Sequence, residues 1–169
     1  MPLNDTLARV DADLASGRIP VARQRLRGLI SSYPHEPEPR RRLAAVYRLY
    51  GDPAEAGRWM YLEEDRAPEE TVAFEERYAN PVRRMRAIAW RGTEAHAPTP
   101  FAAERLAEVR AATSETLGGR AITWDSLVEV KGDARESGPL ADALTGIGCL
   151  PLTVTFLGIW VYGLLALFG

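Results

Sequence analysis

Apolar residues recur at helical spacing through the first two thirds of the chain. Leu3, Leu7, Val10 and Leu14 stand at i, i+4, i+7 and i+11, one stripe of a helix. Gly17 ends it, a residue suited to the left-handed turn that follows a helix. Pro20 opens a second helix with Ala22, Leu26, Leu29 and Ile30 as its inward stripe, and Pro34 stops it. Leu43, Val46, Tyr47 and Tyr50 line a third, followed by Gly51. Asp52-Pro53-Ala54-Glu55 then reads as a helix start, with Asp52 as cap, Pro53 in the first helical position and Glu55 completing a capping-box pattern. Ala56, Trp59 and Met60 face inward from that fourth helix.

Three further helices follow. One opens after Pro68, with Glu69 and Glu70 at its positive end; it is expected to bury Val72, Phe74 and Tyr78 and to break at Asn80-Pro81. The next, from about Pro81 to Arg91, is expected to bury Val82, Met85, Ile88 and Ala89, with Gly92 after it. TEAHAPTP reads as a loop. Thr99-Pro100 caps the last helix, whose stripe is Ala102, Leu106, Val109 and Thr113 and which Gly118-Gly119 ends. Residues 121–130 read as a short strand or a docked extended segment, with Trp124 and Leu127 packing back, and GDARESGP reads as a linker.

The C-terminal segment has a different character. Residues 143–169 carry no charge, and Ile147–Phe168 is a run of 22 residues of which 12 are Leu, Ile, Val or Phe. As a helix it rises about 33 Å, near the thickness of bilayer hydrocarbon. A transmembrane helix is expected there, with Ile147, Leu150, Leu157, Trp160, Leu164 and Phe168 in the span. Lys131 and Arg135 on its N-terminal side and the absence of a leader-like N-terminus predict a single-pass cell-membrane protein with a cytoplasmic N-terminal domain. The expected organisation is a helical domain over residues 1–118, an irregular segment and linker over 119–139, and an anchor over 140–169.

A repeat underlies the helical part. Gly17 and Gly51, Ala22 and Ala56, Leu26 and Met60, and Pro34 and Pro68 are each 34 residues apart. With Leu43, Ala44, Tyr47, Gly51, Ala56, Met60 and Pro68 in place, residues 3–68 resemble two tetratricopeptide (TPR) units. The first unit departs from the pattern, with Arg9, Val10 and Asp13 where Leu43, Ala44 and Tyr47 stand one period later. With NPVRRMRAIAWRG and FAAERLAEVRAA following, the whole is similar to a family of small TPR-like actinobacterial proteins with a C-terminal anchor. These resemblances imply an all-α fold, TPR-like hairpins stacked with three further helices plus the C-terminal transmembrane helix, and they imply no function.

Composition changes this picture little. Hydrophobic residues make up 46% and charged residues 26%, enough to bury a core. The net charge is −2, without the clustered positive excess that duplex binding requires, so no nucleic-acid partner is expected. Lys131 is the only lysine and Cys149 the only cysteine, which excludes an intramolecular disulfide. His35 and His96 lie in proline-bordered loops without metal-ligand spacing and are expected to be solvated. There is no phosphate-binding glycine loop and no nucleophile elbow. No catalytic residue, metal, cofactor or small-molecule substrate is therefore expected.

Arginine is the one suggestive feature. Arg40, Arg41, Arg42 and Arg48 form a basic cluster, and Arg41 and Arg48, two turns apart, share a face. In TPR-like stacks that face lines the peptide-binding surface, so the resemblance implies a groove formed by Glu38, Arg41, Arg48 and Leu49, with Ala45 between them and Glu75 nearby. Arginine forks suit a partner's carboxylate or phosphate. A second cluster, Arg77, Arg83, Arg84, Arg86 and Arg91, would suit anionic lipid headgroups. The expected role is a membrane-anchored adaptor for a protein partner. The alternative is a membrane-resident immunity or accessory protein whose span is the working part.

Overall fold

A computed structural model describes residues 3–126, all within the compact unit Met1–Val130. The segment Ile147–Phe168, Leu127 and the linker lie outside the described residues. Among the described residues no helix is long and apolar enough to cross a membrane.

The described residues are helical and contain no strand. They form α1 (Leu3–Ala15), α2 (Ile19–Ser32), α3 (Pro37–Leu49), α4 (Pro53–Met60), α5 (Pro68–Arg77), α6 (Pro81–Ile88) and α7 (Pro100–Thr116), with a 3-10 turn at Glu94–His96 inside the expected loop. Each helix from α2 to α7 carries proline in its first two positions, where the missing N–H is an orphan in any case. Asp52 accepts from Glu55 N at 3.1 Å and Thr99 from Ala102 N at 3.1 Å, so both expected caps form. Asn80 adds a third, accepting from Val82 N and Arg83 N. Glu55 does not return the capping bond; its carboxylate takes Arg58 and the Tyr78 hydroxyl instead.

Helices α1 to α5 pack chiefly on their chain neighbours, and α6 packs on α7. Two apolar cores result. The first joins α1 to α4 through Leu7, Val10, Ala22, Leu26, Leu43, Ala44 and Trp59. The second gathers Tyr61, Phe74, Met85, Ile88, Trp90, Leu106 and Trp124. Helix α4 lies closest to α5 because Gly57 has no side chain: a Cβ there would sit on the carbonyl oxygen of Glu70, 3.2 Å from Phe74 Cβ.

Several expected positions differ. Val72 is 52% exposed. It stands two residues from Phe74, and positions two apart cannot share a helix face. Tyr50 also lies at the surface. Helix α6 stops at Ile88, since Ala89 turns left-handed at φ 53°, and Ala89 is exposed while Trp90 is buried in its place. Residues 121–125 form no strand, but Trp124 packs inward and donates from its indole N–H to Glu94.

Candidate functional site

Helix α3, packed between α2 and α4, sends arginine side chains on to α1 and to α5. Arg42 reaches α1, donating to Asp11 at 2.6 Å, and also holds Glu38 one turn back on its own helix at 2.6 Å. Arg48 reaches α5 and grips Glu70 with two parallel bonds of 2.6 and 2.7 Å. Arg41 spans Glu63 and Asp65 in the turn between α4 and α5, with bonds of 2.8 and 2.9 Å. Hydrogen bonds donated to Asp65 and to Glu70 raise the pKa values of Arg41 and Arg48 above the ordinary arginine value, against the opposing effect of burial. The result is a ladder of opposite charges across α1, α3 and α5.

This accounts for the expected groove residues one by one. Arg41 and Arg48 share a face of α3, about two-fifths exposed at their side chains. Each already holds a carboxylate of its own chain. Glu38 sits on the α1 side of α3 with Arg42. Leu49 stands clear of the fold at 66% exposure. Glu75 belongs to another cluster: it accepts from the Tyr61 hydroxyl at 2.8 Å and from Arg105 of α7 at 3.4 Å, and it makes no bond to Arg41 or Arg48. Burial, followed by the bond to Glu75, pushes the Tyr61 phenol up to about 12.

Arg40 is not part of the surface cluster. Its side chain is buried between the two cores, with the guanidinium carbon 5.7 Å from the Trp59 ring centre and 5.8 Å from that of Trp90. It donates to the carbonyls of Ile88 at 2.9 Å, Ala89 at 3.2 Å and Pro34 at 3.4 Å, closing the exposed end of α6. Burial, reinforced by the charge of Arg58, lowers its pKa to about 10. A sequence signal for this existed: Arg40, Leu43, Ala44 and Tyr47 stand at i, i+3, i+4 and i+7, so the arginine belongs to the buried stripe.

Of the two histidines, His96 is exposed as expected, while His35 is half-buried. His35 and His96 stack at 4.9 Å with ring planes 8° apart, and His35 packs against Trp90 while its Nε2 meets the Arg91 carbonyl at 2.9 Å. Among the described residues no group of three potential ligands is placed to hold a metal ion. In the second basic cluster Arg77 is bound to Asp52, and Arg84 to the carbonyls of Glu75 and Tyr78. Arg83, Arg86 and Arg91 form no ion pair among the described residues.

Among known proteins, one family model matches the chain, over residues 1–169, and it describes a family of unknown function, DUF6584. Searches of the curated proteins and of the solved structures found no match.

Proposed function

We propose that this chain, which belongs to the DUF6584 family, is a non-catalytic binding module: a TPR-like stack of helical hairpins that holds a protein partner at a membrane. The repeat reading is supported by positions 34 apart that take the same place in two successive hairpins. Gly17 and Gly51 both turn left-handed, at φ 70° and 66°. The residues after them close the same loop, Arg18 N on Asp13 O at 2.8 Å and Asp52 N on Tyr47 O at 3.1 Å. Val10 and Ala44 are fully buried, as are Ala22 and Ala56, and Asp13 is covered where Tyr47 is covered.

The observation that carries the binding role is the charge ladder across α1, α3 and α5, with Leu49 projecting beside Arg48. Partly exposed ion pairs contribute only about 0–1 kcal/mol each, so a partner's carboxylate can displace or share them at little cost. Arg48 uses Nε and Nη2 on Glu70 and leaves Nη1 free for a second acceptor. A partner segment with an apolar side chain next to an acidic one fits that surface. The anchor part of the proposal rests on the uncharged run Ile147–Phe168.

The test is cross-linking from position 45, an exposed alanine one turn before Leu49, in the producing cells, with membrane fractionation of the same material. The full chain should pellet with membranes and resist alkaline extraction, whereas the chain ended after residue 139 should not. One protein should cross-link to the native chain and be lost from Arg48→Gln and Leu49→Glu, with thermal midpoints unchanged. Identical cross-linked species from native and variant chains would remove the groove, and a full chain that stays in the supernatant would remove the tether.

A further inference from the structure

A pocket of about 380 Å³ opens at the seam between the two cores. Arg27, Ile30 and Ser31 of α2 form one wall, Arg58 and Trp59 of α4 the floor, and Arg91 beyond α6 closes the far side. Its size is that of a small-molecule site and too small for a folded segment.

The charge inside it is one-sided. Arg27 makes one hydrogen bond, at 2.6 Å to the neutral Tyr47 hydroxyl, and has no carboxylate partner among the described residues. The Arg91 guanidinium has no partner among them at all. Arg58 spends Nε on the Ala87 carbonyl and Nη1 on Glu55, at 3.0 Å to the latter, which leaves Nη2 over. Arg40 lies behind Trp59 and adds a fourth positive charge, with no carboxylate bound to it. Against these four cations stand Glu55, bonded to Arg58, and Glu63, whose charge acts on Arg40 without a bond to it. The carbonyls at the end of α6 do not oppose an incoming anion, because Arg58 and Arg40 already occupy those of Ala87, Ile88 and Ala89.

We infer that this pocket is a binding site for a small organic phosphate. Arg27, Arg58 and Arg91 hold the phosphate monoester, and Ile30 and Trp59 cover its organic part. Three guanidinium groups offer more donors and more charge than one carboxylate can use, while a monoester dianion brings three acceptor oxygens and nearly two charges. Arg58 stacks 4.5 Å from the Trp59 ring centre, which holds its free edge rigid at the pocket floor. The site is separate from the α3 ladder, and neither assignment depends on the other.

Phenyl phosphate and benzoate, which share a ring and differ in the anion, distinguish a phosphate site from general attraction. Calorimetric titration of the full chain in neutral detergent at fixed ionic strength should show phenyl phosphate binding at least tenfold more tightly than benzoate. The Trp59 indole resonance should move at saturation. Arg27→Gln with Arg91→Gln, both surface positions that bind no carbonyl, should weaken phenyl phosphate at least tenfold with the thermal midpoint unchanged. Arg83→Gln, on α6 outside the pocket, should not change it. Equal binding of the two probes, equal loss in the Arg83 variant, or no binding and no Trp59 shift would each overturn the assignment.

Discussion

Arg40 forms no bond to a carboxylate, yet its guanidinium lies inside the molecule. Removing such a charge from water costs several kcal/mol. The offset here comes from three carbonyl acceptors on the two terminal nitrogens and from two indole faces, while the buried Nε has no acceptor. The same bonds supply donors to carbonyls that α6 leaves open when Ala89 turns left-handed. Arg40→Ala is therefore expected to destabilise the fold by about 3 kcal/mol, since it strands those carbonyls and empties the space between Trp59 and Trp90. Arg40→Lys, with one compact donor in place of a fork, should recover less than half of that. Urea unfolding followed by tryptophan fluorescence measures both; a loss under 1 kcal/mol for the alanine variant would show the clamp to be dispensable.

Helices in this chain are well determined by local chemistry, but how closely two of them approach is not. Prolines, caps and glycines set the ends of α1 to α4 and of α7 close to where the apolar stripes put them. Two faces were less legible. Val72 looks like a core residue by type, yet α5 turns Glu70, Phe74 and Tyr78 toward the fold at intervals of four and leaves Val72 outside. Arg40 looks like a surface residue by type, yet its position in the α3 stripe buries it. Gly57 shows the same limit in the opposite sense, because only the approach of α5 explains why no side chain is tolerated there. Two glycines inside helices should then respond to alanine with opposite signs. Gly57→Ala must push α4 off the Glu70 backbone and should cost about 1–3 kcal/mol. Gly28→Ala, in α2 with nothing within 4 Å of the new methyl, should stabilise by about 0.5–1 kcal/mol through helix propensity. Thermal or urea midpoints of the two variants decide it, and shifts of the same sign would refute the close-approach argument.

At the scale of the molecule, arginine–carboxylate pairs join segments distant in the chain, and they tie stability to pH. Asp13 is held below the usual carboxylate range by bonds from Arg18 and Arg25, and Asp65 by its bond from Arg41. For Asp52, burial pulls upward but Arg77 and the Glu55 amide outweigh it; for Glu94, Arg110 and Trp124 do so with its own backbone amide. Each of these groups binds its proton less tightly folded than unfolded. Their contribution is full above the unfolded values near 3.8 and 4.5 and is lost as pH falls through the lower folded values. Urea midpoints should accordingly be flat from about pH 5.5 to 7 and fall below about pH 4. Asp13→Asn should flatten part of that fall; a midpoint that rises toward acid would contradict the assignment. By itself the sequence determined the helical class, most helix ends, most buried stripes and the 34-residue spacing, because caps, prolines and apolar periodicity act over one or two turns of chain. Only the tertiary structure decided which arginines are spent on carboxylates, which one is buried at the seam, and which three line a pocket. Those outcomes depend on partners 20 to 50 residues away along the chain, as Arg41 with Glu63 and Arg40 with Ile88 illustrate. Local patterning carries no record of such distances, because a long flexible side chain can serve equally well in water or against any acceptor the fold brings within reach.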